Sequence, residues 1–219
     1  MPGFILDSFR LLVDAFLSLR LNSIVLVVQV KTAAVSIVHG LTGSEDGIRR
    51  LAEKGDSLCR SLLLLLRSDQ NVCKLAVEAL VNLSQDPELG ETIIRGDGIE
   101  QTMELLGGAA QELNRLLLLL IVNLTHSDFG VKRLLQEAGK LEGLFLRKLV
   151  RLFSKAPEGS EDPYENVASV LVNVTRLVSG RRLVLDVKKG LLKQILPHSG
   201  STSLVRRKGV RSLEHLCYF

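Results

Sequence analysis

The sequence has no tryptophan, five prolines, three cysteines and an aromatic content of only 4%. So few aromatics leave no stacking platform of the kind single-stranded nucleic acid needs. Cys59, Cys73 and Cys217 form no Cys-x-x-Cys pair, which excludes a disulfide framework and leaves reduced, mostly buried thiols as the expectation. No P-loop, no GxGxxG after a strand, no HExxH and no GxSxG occurs. The four histidines, His39, His126, His198 and His215, are widely separated. His126-Ser127-Asp128 spells a triad in letters only, since adjacent residues on a loop do not converge as a relay; a turn is the simpler reading. The expectation is therefore a protein that is not an enzyme and uses no cofactor, metal or small-molecule substrate.

A membrane-length apolar run is also missing. Residues 11–30 are very apolar, but Asp14 and Arg20 interrupt them, and the stretch free of charge, Leu21 to Val30, has ten residues. A span needs about 20. Asp7 and Asp14 spoil the basic leader of a signal peptide. Residues 1–30 are read as a divergent apolar lead and residues 31–219 as the main domain, with no membrane association and a cytoplasmic location expected.

What the chain has is aliphatic bulk that repeats. Of 219 residues, 46% are hydrophobic, mainly Leu and Val, a composition suited to helices packed on helices. Ala79-Leu80-Val81-Asn82-Leu83-Ser84 recurs as Leu120-Ile121-Val122-Asn123-Leu124-Thr125 and as Val170-Leu171-Val172-Asn173-Val174-Thr175. Ile37–Thr42 places Gly40 at the Asn position, and Ser212–Cys217 places His215 there. The successive spacings are 42, 41, 50 and 42 residues. The long interval contains the polar run Ser154–Pro163, a Pro/Gly loop of about eight or nine extra residues. Downstream of each Asn position, glycines recur at Gly55, Gly98, Gly139 and Gly190, where a left-handed turn can end one helix before the next. The apolar segments that follow predict helices at Leu58–Leu66, Ile99–Leu106, Leu141–Phe153 and Leu191–Leu196. The leucine runs Leu62–Leu66 and Leu116–Leu120 are apolar all round, as helices buried on several sides should be. No stretch alternates with period two for long enough to argue a sheet. A period near 42 filled by short helices predicts an all-α, armadillo/HEAT-like alpha solenoid of about four to five repeats, the last incomplete.

The repeated asparagines admit two readings. In an armadillo groove, Asn82, Asn123 and Asn173 can hold the main chain of an extended peptide, each carboxamide donating to a carbonyl and accepting from an amide. Alternatively, each ties its own helix end to the loop of the neighbouring repeat. All three also spell a glycosylation sequon, a match that helices of a chain without a secretory signal make spurious. Charge is uneven: residues 1–175 carry 18 basic and 22 acidic residues, whereas residues 176–211 carry ten basic and one acidic, a net of +9. Arg206, Arg207 and Lys208 belong to that basic segment, which can attract acidic protein tails or phosphates. Without aromatic stacking or a groove-reading motif, nucleic acid is disfavoured as its partner.

Four motifs in this order and spacing carry a resemblance to a known family: Thr42-Gly43-Ser44-Glu45-Asp46-Gly47, Ala79–Ser84, Asp162-Pro163-Tyr164 before Leu171–Thr175, and Val205-Arg206-Arg207-Lys208-Gly209-Val210. Over roughly residues 31–219 the chain resembles the Hgh-one protein family. The resemblance implies an armadillo-like cytosolic adaptor, without ATP chemistry, that assists folding of translation elongation factor two by bringing it to the chaperonin TRiC. The family normally continues beyond the position of Phe219, so the resemblance also implies a shortened chain. A nuclear-import adaptor is the competing armadillo reading. Such adaptors place a Trp four residues before each groove Asn, where this chain has Glu78, Leu119 and Ser169. A generic armadillo scaffold is the other alternative.

Overall fold

A computed structural model describes residues 24–155 and 162–217, with side chains over residues 28–155 and 162–213. Most of the apolar lead, the middle of the Pro/Gly loop, and the side chains of Glu214, His215 and Cys217 lie outside the described residues.

Among the described residues every regular element is helical. The helices are α1 (Ile24–Leu41), α2 (Glu45–Ala52), α3 (Gly55–Leu65), α4 (Gln70–Leu83), α5 (Pro87–Arg95), α6 (Gly98–Leu105), α7 (Gln111–Leu124), α8 (Asp128–Leu135), α9 (Leu144–Phe153), α10 (Val167–Thr175), α11 (Val178–Leu185), α12 (Leu191–Ile195) and α13 (Leu204–Cys217), with a 3₁₀ turn at Leu196–Gly200. They read as a leading long helix, α1, followed by four triplets of first, second and third helix. That is the alpha-solenoid class the period of 42 predicts, and each sequence repeat closes on the end of a third helix. The chain divides into two compact units, one ending at Leu83 and the other beginning at Ser84. In the first unit α4 packs on α1 and α3 around Val72, Ala76, Val77 and Leu80. In the second, α7, α10 and α13 pack in succession around Leu117, Ile121, Val170, Leu171 and Leu213. Each of these valines, leucines and isoleucines contributes about 1.5–3 kcal/mol by leaving water.

The bend from a third helix into the next first helix has a local cause. Ser44, Asp86 and Ser127 cap α2, α5 and α8 by accepting backbone N–H groups of the first turn, including those of Gly47, Leu89 and Gly130. Gly47, Gly130 and Gly180 then lie against the carbonyl oxygens of Leu41, Leu124 and Val174. A Cβ at these positions would stand 1.9, 1.9 and 2.1 Å from them. The residues His126-Ser127-Asp128 are therefore a capped turn, with the Ser127 hydroxyl receiving the Gly130 amide at 3.0 Å.

Two details differ from the sequence reading. Of the four recurring glycines, Gly190 alone takes up left-handed backbone (φ +62°); beside Gly98 this falls to Asp97, around Gly139 to Gln136, Ala138 and Gly143, and the turn before Gly55 has no left-handed residue. Gly98 is needed for close packing instead, since its Cβ would meet the Ile93 side chain at 2.6 Å. The run Leu62–Leu66 is not buried all round: Leu64 is 70% exposed while its four neighbours are buried.

Candidate protein-binding site

The asparagine positions fall one or two residues before the end of each third helix, and they share one hydrogen-bond pattern. In the first unit Asn82 Nδ2 donates to Thr42 Oγ1 at 3.0 Å. In the second, Asn123 Nδ2 donates to Ser84 Oγ at 3.0 Å, and Asn173 Nδ2 donates to Thr125 Oγ1 at 3.1 Å and to the Val122 carbonyl at 3.2 Å. The hydroxyl always stands two residues after the preceding repeat's Asn position. Thr42 and Thr125 donate their own protons to carbonyls of their helices, His39 at 2.7 Å and Ile121 at 2.7 Å. Their oxygens are thus left to accept, which fixes the carboxamides of Asn82 and Asn173 with their nitrogens toward the hydroxyl. The Asn-x-Ser/Thr spelling that mimics a sequon is this link: the Asn reaches back one repeat, and the hydroxyl receives the next.

Exposure grades the three amides. Asn173 is 9% exposed, whereas Asn82 and Asn123 are half-buried. Asn123 also lines a cleft of about 500 Å³ in the second unit, together with Ser84, Pro87, Ile94 and His126. In the first unit Glu78, one turn before Asn82, lies 3.5 Å from His39 Nε2.

The basic segment divides between the interior and the surface. Arg176 donates to the carbonyls of Thr125 and His126 at 3.2 and 2.6 Å, and Arg181 to those of Thr175 and Arg176 at 2.8 and 3.0 Å. Both neutralise helix ends, where carbonyls and the dipole favour a cation. Arg206 is turned inward, with its side chain 2% exposed. It grips the Asp162 carboxylate through Nε and, at 2.8 Å, through Nη2, while Nη1 donates to the Phe153 carbonyl. Its guanidinium lies 4.4 Å from the Phe153 ring centre, and His198 stacks on that ring at 4.5 Å with Nδ1 3.3 Å from Arg206 Nη1. Burial, then the Arg206 charge, lower the His198 pKa, against an opposing pull from Asp162. Arg206 thus has its part in holding α13 to the end of α9. Arg207, half-buried, donates to the Ser201 carbonyl at 2.7 Å, and Lys208 is exposed. Gly209 completes the same motif: its Cβ would stand 2.5 Å from that of Ala168, so α13 crosses α10 where no side chain fits between them. Asp162-Pro163-Tyr164 and Val205–Val210, distant in sequence, are two halves of one buried junction.

Cys59 and Cys73 are buried free thiols. Burial, reinforced by Asp56, pushes the Cys59 pKa up to about 12, and burial with Asp69 raises that of Cys73. Among the described residues no helix is long and apolar enough to cross a membrane, and no cluster of metal-ligating side chains occurs.

Helix triplets, glycine-packed bends and an amide near the end of three of the third helices define an armadillo-type repeat protein. Solved structures share that fold. A designed armadillo repeat protein in complex with the peptide (KR)4 matches with a TM-score of 0.73 and 18% identity over 94% of this chain and 80% of that one. A computationally designed armadillo repeat protein for modular peptide recognition matches with a TM-score of 0.72 and 20% identity over 86% of this chain and 76% of that one. More particularly, the chain belongs to the HGH1 family: the family model described as "Domain of unknown function (DUF383)" matches residues 105–219. The "Protein HGH1 homolog" of Dictyostelium discoideum is 22% identical over 196 residues, 87% of this chain and 55% of that protein. That of Danio rerio is 25% identical over 209 residues, 93% of this chain and 53% of that protein. The chain spans about half the length of the curated relatives it matches.

Proposed function

We propose that this chain is a cytoplasmic, non-enzymatic adaptor that assists folding of translation elongation factor two together with the chaperonin TRiC. It recognises protein through the ends of its third helices. The observation that carries the reading is the fixed amide of Asn123 on the wall of a cleft, held at 3.0 Å by the Ser84 hydroxyl. A carboxamide already locked in one orientation meets a polypeptide main chain without the ordering cost a mobile side chain imposes. Membership of the HGH1 family supports the client and the chaperonin, and the armadillo fold supports peptide recognition. Within this reading Asn82 and Asn123 contact the partner, Asn173 serves mainly to tie repeats, Arg207 and Lys208 meet acidic groups, and Arg206 positions the helix that bears them.

Affinity purification of the tagged chain from cell extract at moderate salt tests this. Recovery of elongation factor two with chaperonin subunits is expected, and Asn123→Ala should reduce it without loss of helicity. Recovery of importin beta or its cargo with neither expected partner overturns the adaptor reading. Retention of the full yield by Asn123→Ala removes the amide from the recognition surface.

A further inference from the structure

The second unit carries a second apolar and basic surface, away from the third-helix ends. It is built from the corners between first and second helices of the last two triplets, residues 136–144 and 185–191. These corners lie side by side, because Arg182 on α11 pairs with Glu142 at 2.8 Å and Gly143 stands within van der Waals reach of the Leu183 methyls. Four aliphatic side chains of these corners are exposed to solvent: Leu141 is 57% exposed, Leu144 40%, Leu185 39% and Val187 93%. Nothing in packing or turn chemistry asks for them, since Gly143 and Gly190 already make the turns. The charges around them are one-sided. Glu142 is taken by Arg182 and Asp186 by Lys189 at 3.7 Å. Within the two corners that leaves the exposed Lys140 and Lys188, with the exposed Lys193 two residues further on α12, against the carboxylate of Glu137.

We propose that this corner is a docking surface for an acidic protein segment bearing large aliphatic side chains, separate from the third-helix amides. The aliphatics supply burial, while the three lysines select for negative charge and reject a basic segment. A membrane surface fits less well, because no long amphipathic helix and no exposed aromatic anchor belongs to these corners. The inference is independent of the identity of the client. An adaptor with two separate surfaces can hold two proteins at once.

The test is fluorescence anisotropy of a fluorescein-labelled peptide repeating Leu-Glu-Glu-Leu-Asp, titrated with the full chain at low and high salt. Saturable binding weakened by salt is expected, and the variant Val187→Asp/Lys188→Glu should weaken it by about tenfold or more. Both side chains are exposed, so the variant should keep its circular dichroism and melting temperature. Asn123→Ala should leave binding unchanged. Failure of the parent chain to bind, equal binding by the variant, or equal binding of a peptide with Ser for every Leu would overturn the proposal. So would displacement of the labelled peptide by phosphatidylserine vesicles.

Discussion

A single amide shows how tightly the repeats are specified. Asn173 spends its nitrogen on Thr125 Oγ1 and on the Val122 carbonyl in a site 9% exposed. Asn173→Ala leaves the buried Thr125 Oγ1 without its donor and should cost about 1–3 kcal/mol, read as a lower urea midpoint at unchanged m-value. Asn82→Ala, at a half-exposed site where water can replace the amide, should cost less; equal losses would mean that burial does not govern the link. A harsher case is Arg206. Arg206→Ala strands the Asp162 carboxylate in a buried setting and should cost about 3–5 kcal/mol, whereas Arg206→Met with Asp162→Asn should recover much of it. If the double variant is no better than the single one, the pair is not the source of the loss. The asparagines were legible in the sequence because they repeat in register with the helix period. Their hydroxyl partners stand one repeat earlier, 39 to 48 residues upstream of the amides they receive, and their spelling suggested a different chemistry. The Arg206–Asp162 pair was not legible as a pair. Arg206 reads as one of ten basic residues in a solvated segment, and only the tertiary crossing of α13 over the end of α9 turns it inward.

For whole helices, packing distance outranks helix propensity, and two helical glycines separate the two effects. Gly40, in the last turn of α1, has nothing within 4 Å of where a Cβ would stand, while Gly209, inside α13, has the Ala168 Cβ at 2.5 Å. Alanine favours a helix interior by about 0.5–1 kcal/mol over glycine, and a last turn by less. Gly40→Ala should therefore raise the melting temperature slightly. Gly209→Ala should lower it, because forcing α13 from α10 costs about 1–3 kcal/mol. A rise in both would show that α13 has room to move. This scale also explains which helix features the sequence conveyed. The apolar segments fixed the second helices to within a few residues, since Leu149, Val150 and Phe153 repeat with helical period. Left-handed backbone at Asp97 and Gln136 was hidden, because residues other than glycine enter that region uncommonly and no pattern of residue types marks where.

At the scale of the whole molecule, the net charge of +4 conceals a basic segment with two uses. Arg176, Arg181 and Arg206 are committed to carbonyls and to Asp162, whereas Lys188 and Lys193 face solvent. The inward portion gives folding a dependence on pH near neutrality. His198 stacks on Phe153 beside the Arg206 guanidinium, with Asp162 the carboxylate across from it, and its pKa lies below the ordinary 6.5. The unfolded chain, with its histidine at the ordinary value, therefore binds the proton more readily than the folded one. Stability is fully present above about pH 6.5 and falls as the pH drops through that value toward the lower folded-state pKa. Urea midpoints at about pH 7.5 and about pH 5.5 should show this loss in the parent chain, and His198→Gln should flatten it. Equal losses in the two proteins would assign the pH dependence to other groups. A flattened profile would show the junction responding to a proton without a change in net charge elsewhere. Burial of His198 first, and the neighbouring Arg206 charge second, would then set the pH range in which this junction holds together.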